Sequence, residues 1–310
     1  MPGHFARRNG AAARAWSTTV TEPMLRAYLQ LLRPANVATA LADVLAGFAI
    51  AGLENRRALP WLLLATASLY AGGIVLNDVF DRELDQVERP ERPIPSGRIG
   101  TRAATGLGGG LLALGTLSAG MANVSALAVA LAIAACVLLY DAWGKRHPPI
   151  APLNMAMCRA LNLLLGVAAV PPALATAWPI ALVPLLYIYA VTAISRGEVH
   201  GGSSRGATSA LLILVVSLAS LALIAARAGD RAAPALVLVA ALAWRVVPPF
   251  YAARQHPGAA TIRTAVKRGV LSLVLLDAAL AAAFAGPLYA AIVLATGLVA
   301  GWLARMFAVT

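Results

Sequence analysis

The sequence predicts an all-α fold, a polytopic membrane bundle of nine to ten transmembrane helices around a central cavity. Three observations carry that prediction. Hydrophobic residues make up 60% of the 310 and charged residues only 12%, against about 45–50% and about 25% in an ordinary soluble domain. Too little polar surface is left to coat a water-soluble globule, which excludes a soluble enzyme, a disulfide scaffold and a disordered tail. Ten apolar runs each approach the length of about 20 residues that a spanning helix needs. Finally, the basic residues alternate between one side of those runs and the other.

The runs fall at 36–53, 61–78, 103–121, 123–140, 152–170, 177–195, 208–226, 233–252, 267–284 and 287–305. Only Ala285, Gly286 and Pro287 join the last two, so nine or ten helices are both open. Residues 1–35 form a basic amino-terminal segment with Arg7, Arg8, Arg14, Arg26 and Arg33 but no apolar core of a signal peptide. Around Met24–Leu32 that segment reads as a surface helix, and residues 36–310 form the bundle. The amino-terminal side receives 19 of the 25 Lys and Arg, and the other side only Arg56, Arg57, Arg227 and Arg231. Such asymmetry predicts a multi-pass protein of the cell (inner) membrane with its amino terminus in the cytoplasm. The net charge of +12 then reflects topology, and no nucleic-acid partner is required. Cys136 and Cys158 both lie in apolar runs and suggest no disulfide framework.

Chemistry concentrates where the second run ends, in Asn77-Asp78-Val79-Phe80-Asp81-Arg82-Glu83-Leu84-Asp85. At about 100° per residue, Asn77, Asp78, Asp81 and Asp85 fall within roughly a third of the circumference, provided the helix continues. Carboxylates crowded there repel one another unless a multivalent cation neutralises them, and all-oxygen ligands suit Mg²⁺. The alternative is a solvated helix end whose acids pair with the arginines nearby. Next comes Arg89-Pro90-Glu91-Arg92-Pro93-Ile94-Pro95-Ser96-Gly97-Arg98. Its prolines should hold extended backbone. Arg92 and Arg98 offer forked donors to phosphate, and Ser96-Gly97 could offer backbone N–H groups to an anion.

This combination, with Arg33-Pro34 before the first run, resembles the first signature of the UbiA superfamily of intramembrane prenyltransferases. The resemblance extends over nearly the whole chain. It implies a prenyltransferase that moves an isoprenyl group from a prenyl diphosphate to an aromatic or other small acceptor. Asp78, Asp81 and Asp85 would be Mg²⁺ ligands, with Asn77 on the Mg²⁺–diphosphate. Tyr140-Asp141-Ala142-Trp143-Gly144-Lys145-Arg146 is similar to the family's Tyr-then-Lys element, making Tyr140 a diphosphate contact and Lys145 the charge that stabilises the departing diphosphate. Gly144 is expected to end the helix and let Lys145 swing back. Anchoring by interfacial Tyr and Trp beside basic residues is the bland alternative.

One motif departs from the family pattern. Where a second cluster of the form Asp-x-x-Asp-x-x-Gly-Asp is usual, this chain has Ser195-Arg196-Gly197-Glu198-Val199-His200-Gly201-Gly202. Glu198 would hold metal alone, or Glu198 and His200 would act as a proton-transfer pair; decay of the loop after loss of activity is the other reading. With Leu153-Asn154-Met155-Ala156-Met157-Cys158-Arg159-Ala160-Leu161-Asn162, the loop resembles the UbiA-like EboC branch. That branch implies a second function, a non-catalytic membrane component that binds, processes or exports a prenylated or aromatic metabolite. A channel or secondary transporter is disfavoured by the one-sided charge clusters and the lack of inverted repeats.

The remaining polar residues sit inside apolar runs. Arg159 shares a face with Asn162 and should point into the bundle, toward diphosphate or into a structural hydrogen-bond network. Asp43 would orient an acceptor or pair with Arg159. Arg245 and Asp277 are expected to pair with each other, and Gly106–Gly110 to serve close helix packing.

Overall fold

Backbone that crosses a bilayer must satisfy its own hydrogen bonds, and a chain of helices does so segment by segment. The computed structural model describes residues 24–148 and 150–306, and every regular element among them is helical. In order these are α1 (Met24–Leu32), α2 (Pro34–Ile50), α3 (Leu59–Phe80), α4 (Arg82–Glu88), α5 (Thr101–Ala122), α6 (Val124–Ala142), α7 (Ile150–Val167), α8 (Pro171–Ala177), α9 (Leu182–Ser195), α10 (Ser204–Ala226), α11 (Ala232–Gln255), α12 (Ala259–Leu271), α13 (Leu273–Ala285) and α14 (Pro287–Met306). Arg7, Arg8 and Arg14 of the basic amino-terminal segment lie outside the described residues.

Nine stretches among the described residues are long and apolar enough to cross a membrane, and α2, at 17 residues, is a shorter apolar helix beside them. These ten correspond to the ten runs read from the sequence. The protein is an integral membrane protein. Gly286, at φ 89°, turns the chain sharply between α13 and α14, which pack on each other; the last two runs are therefore two helices.

Local chemistry sets most of the ends. Pro34 opens α2 and Pro171 opens α8, where a missing N–H costs nothing. The Asn123 side chain accepts from the Ala126 N–H to cap α6, and its Nδ2 donates to the Ala168 carbonyl at 2.8 Å, tying that cap to the end of α7. Ser203 caps α10 through the Gly206 N–H.

Two expectations change. The eighth loop is shorter than the apolar runs suggest, because α12 begins at Ala259 and carries Arg263, Lys267 and Arg268 on helix. Hydropathy hides this amphipathic turn. The proline loop is compact instead of extended. Its N–H groups close on its own carbonyls, Ser96 to Arg92 and Gly97 to Ile94, both at 3.0 Å, and so are not directed at an anion.

Successive helices pack around a ring: α3 on α5, α5 on α6, α6 on α7, α7 on α9, α9 on α10, α10 on α11, α11 on α13, α13 on α14, and α14 back on α2, which meets α3. Helix α2 also packs against α7 and α13, so it is the inner post of the bundle. Its buried Ala40, Ala42, Ala46 and Ala49 are small enough for those neighbours to approach closely. Helix α1 lays Ala27 and Leu31 on Val75 and Val79 of α3 and on Ile94 and Ile99 of the proline loop. That contact clamps the motif loop to the bundle.

Candidate active site

The end of α3 carries the acids, and their register survives the helix end. Asp81 sits between α3 and α4 at φ −90°, ψ 3°, and the Asp85 N–H still donates to its carbonyl at 2.8 Å. Asp78 and Asp85 are consequently both buried on one side. Basic residues from three other segments meet them. Arg33 Nη2, from the α1–α2 junction, lies 2.6 Å from Asp78 Oδ1. Arg92 Nη1 lies 3.3 Å from that same oxygen and 2.7 Å from Asp85 Oδ2. Lys145 Nζ reaches Asp81 Oδ1 at 2.6 Å and Asp141 Oδ1 at 3.9 Å. Asn77 Nδ2 donates to the same Asp141 oxygen at 2.7 Å.

Arg33 is held at φ 46°, a left-handed conformation that a non-glycine residue adopts at a cost of order 1–3 kcal/mol. Its ion pair with the buried Asp78 offsets that cost. Lys145 arrives on the single turn Gly144–Arg146. The left-handed stop expected of Gly144 is absent, since its φ is not positive. Its surroundings are close but not closed: a Cβ there would stand 3.3 Å from the Leu139 carbonyl oxygen, a tight fit, and 3.5 Å from Asn154 Nδ2 of α7, an ordinary contact.

Below this ladder of ion pairs lies a cavity of about 350 Å³ between α3, α6, α7, α9 and the α12–α13 junction. Its upper wall includes Arg33, Asn77, Tyr140 and Asp141, and its body is apolar, with Leu69, Ile133, Val137 and Ile188 among the lining. Arg159 and Asn162 line its far part. There Arg159 Nε lies 2.8 Å from Asp43 Oδ2 and its Nη2 donates to the Thr39 carbonyl at 3.0 Å. Asn162 donates to Asp43 at 2.8 Å and accepts from the Thr66 hydroxyl at 2.6 Å. Asp277 abuts the Asp43 carboxyl from α13. The pairing of Arg245 with Asp277 does not occur; Arg245 Nε donates to Ser272 Oγ at 3.2 Å, where the break between α12 and α13 frees that hydroxyl.

The UbiA prenyltransferase family model matches residues 40–309. The chain belongs to the UbiA prenyltransferase family. It is 37% identical over 152 residues to a digeranylgeranylglyceryl phosphate synthase of Methanothrix thermoacetophila, a match covering 48% of this chain and 57% of that relative. It thus aligns with little more than half of the relative's length. A solved structure of a digeranylgeranylglyceryl phosphate synthase in membranes superposes with a TM-score of 0.65 at 22% identity, covering 84% of this chain and 98% of that one. A UbiA homologue from Archaeoglobus fulgidus, solved with DMAPP and Mg²⁺, gives a TM-score of 0.53 at 20% identity over 77% of this chain and 99% of that one. Both likenesses show the fold.

Within this UbiA chain, Asn77, Asp78, Asp81, Asp85, Arg92 and Lys145 gather at one mouth, while Tyr140 and Arg159 line the cavity beneath. Arg98 does not join them. It donates to Gln30 at 2.9 Å, to Ser96 at 3.0 Å and to the Glu91 carbonyl, and so ties the proline loop to α1. Glu198 and His200 do not line the cavity either. His200 is exposed, and the Glu198 carbonyl accepts from Arg263 at 3.0 Å. Partial burial pushes the Glu198 carboxyl above the usual range, against the opposing pull of Arg263.

Sequence reading missed Asp141 and gave Arg33 no role. A signal existed for Asp141, an acid closing an apolar run four residues before Lys145, the spacing that places both on one helical face. For Arg33 the sequence offered only its place in Arg33-Pro34 beside the family signature, with nothing to name a partner 45 residues away.

The acidic residues fit a hard dication. Two carboxylate oxygens, Asp78 Oδ1 and Asp85 Oδ2, already converge on one positive group, Arg92 Nη1. Among the described residues no three His, Cys, Asp or Glu side chains are gathered closely enough to hold an ion by themselves. An ion at this mouth would therefore need oxygens beyond the acids, from waters or a substrate phosphate, which is how Mg²⁺ is commonly held.

Proposed function

We propose that this protein is a Mg²⁺-dependent prenyltransferase that binds a prenyl diphosphate at the Asp78–Lys145 mouth and transfers the isoprenyl group to a small acceptor. The convergence of Asp78, Asp81 and Asp85 with Arg33, Arg92 and Lys145 above an apolar cavity carries this reading. Asp78, Asp81 and Asp85 would hold Mg²⁺, whose charge draws the diphosphate and eases its departure. Arg92 and Lys145 would move from carboxylate to phosphate oxygens, with Asn77 and Tyr140 contacting the diphosphate and Lys145 stabilising the negative charge that develops as the C–O bond breaks. The prenyl chain occupies the apolar body of the cavity. The acceptor nucleophile bonds to the prenyl carbon and then loses a proton. Within the expected class of aromatic or other small acceptors, the relatives' name, digeranylgeranylglyceryl phosphate synthase, favours one bearing a glyceryl phosphate. The arginine asymmetry supports a cytoplasmic mouth in the cell membrane.

Purified protein reconstituted in lipid and given labelled geranyl to geranylgeranyl diphosphates tests this. Mg²⁺-dependent diphosphate release that disappears in Asp78→Ala/Asp81→Ala is expected. No release, or release indifferent to that double substitution, overturns it.

The second reading, a non-catalytic EboC-like component for a prenylated or aromatic metabolite, is favoured by the degenerate Ser195–Gly202 motif and by Glu198 and His200 standing off the cavity. Its support would be metabolite relocation that persists in the same double variant.

A further inference from the structure

The ion pairs at the mouth include two sets in which a cation stands between two carboxylates. In the first, Arg92 Nη1 lies 3.3 Å from Asp78 Oδ1 and 2.7 Å from Asp85 Oδ2. In the second, Lys145 Nζ lies 2.6 Å from Asp81 Oδ1 and 3.9 Å from Asp141 Oδ1. The second set is the less complete. Lys145 Nζ is shut off from solvent, yet it makes no well-angled hydrogen bond to either oxygen. It sits there as a charge more than as a donor. Asp141 is 2% exposed and lines the cavity, and its close partner is Asn77 Nδ2 at 2.7 Å.

The end of α9 brings no carboxylate to the cavity. Ser195 donates to the Thr192 carbonyl of its own helix at 2.9 Å, position 202 is glycine, and Glu198 does not line the cavity. Charge decides how many dications the mouth can use. Asp78, Asp81, Asp85 and Asp141 outweigh Arg33, Arg92 and Lys145 by one, and a diphosphate adds about three negative charges. One Mg²⁺ leaves about two negative charges unmatched in a largely buried site, where unmatched charge is costly. A second balances them.

We infer that Asp141, together with Asp81, is a ligand for a second Mg²⁺ at the place Lys145 Nζ occupies, and that it stands in for the carboxylates missing from Ser195–Gly202. This rests on the Mg²⁺-dependent prenyl-transfer reading and adds a metal ligand to it. Lys145 leaves that place when it moves to the phosphate oxygens. Two carboxylate oxygens then face the vacated position, and waters and diphosphate supply the rest of an all-oxygen shell.

The test counts Mn²⁺, a paramagnetic substitute for Mg²⁺, bound to the full chain in phosphatidylcholine nanodiscs, by electron paramagnetic resonance. It is run with and without geranylgeranyl thiodiphosphate, whose bridging sulfur blocks turnover. With the thiodiphosphate, Asp141→Asn should bind one Mn²⁺ fewer per chain than wild type. Asparagine keeps an acceptor for Asn77, so the loss reports the carboxylate charge and not the packing. Glu198→Gln should bind as many ions as wild type. Without the thiodiphosphate, Lys145→Met vacates the position and should lower the Kd for Mn²⁺ about tenfold, and the gain should vanish in Lys145→Met/Asp141→Asn. An unchanged count in Asp141→Asn, or a loss in Glu198→Gln instead, overturns the assignment. So does the absence of any gain in Lys145→Met, a result that does not depend on Asp141→Asn folding. A wild type that binds no Mn²⁺ with the thiodiphosphate present overturns the Mg²⁺-dependent reading itself, whereas one that binds the same number as Asp141→Asn overturns only the role of Asp141.

Discussion

Gly47 of α2 and Gly166 of α7 meet backbone to backbone. A methyl group on Gly47 would lie 2.0 Å from the Leu163 carbonyl oxygen, and one on Gly166 would lie 2.2 Å from that of Val44. The same crossing carries the Asp43–Arg159–Asn162 network one turn away. Close approach there is what lets short polar side chains bridge the two helices at the far part of the cavity.

Gly166→Ala should therefore destabilise the bundle by more than the usual overpacking cost of about 1–3 kcal/mol, because the clash is with backbone. Gly110→Ala faces open space and should leave stability unchanged or slightly improved. Thermal unfolding of both variants in the same detergent checks the pair, and equal behaviour would contradict the described crossing.

Asp43→Ala leaves Arg159 buried without its carboxylate and should cost about 3–5 kcal/mol. Replacing both, as Asp43→Ala/Arg159→Met, should recover part of that loss, since the guanidinium is removed with its carboxylate and only Asp277 remains as a buried acid there. A double-mutant cycle on unfolding free energy measures the coupling; strict additivity would mean that the 2.8 Å contact contributes nothing.

Lys145→Ala should lower single-turnover prenyl transfer by about 10²–10³-fold, the range seen when one preorganised stabilising group is removed. Lys145→Arg should retain an intermediate rate. Prenyl diphosphate affinity should fall far less than the rate, and a change in affinity alone would assign Lys145 to binding instead.

Glu198 gives a pH signature. Burial raises its carboxyl, so the native state binds that proton more tightly than the unfolded chain does. Its contribution to stability is complete below the ordinary carboxylate range and is lost as pH rises through the native value. Glu198→Gln should flatten this part of the stability–pH profile, with a small amplitude because the group is largely solvated. An unchanged slope would show that Glu198 titrates as an ordinary surface acid.

Much of the fold was legible from local information. The ten apolar runs became the ten apolar helices because a bilayer penalises any unsatisfied backbone, whatever the tertiary context. Asn77, Asp78, Asp81 and Asp85 could be placed on one face because helical register is a local rule. Register failed where apolar runs understate helix length, at α12, and where proline was read as extended when turns satisfied the loop's own N–H groups.

By itself, the sequence determined that this chain is a helical membrane bundle of the UbiA kind and which acids gather at the end of α3. Only the tertiary structure decided which cations meet those acids. Arg33 reaches Asp78 from 45 residues away, Arg98 turns from the mouth to α1, and Glu198 and His200 stand off the cavity. Ion pairing depends on which side chains three-dimensional packing brings within a few ångströms, and energy falls off with that distance in a medium that screens it poorly. Helical register carries no information about it.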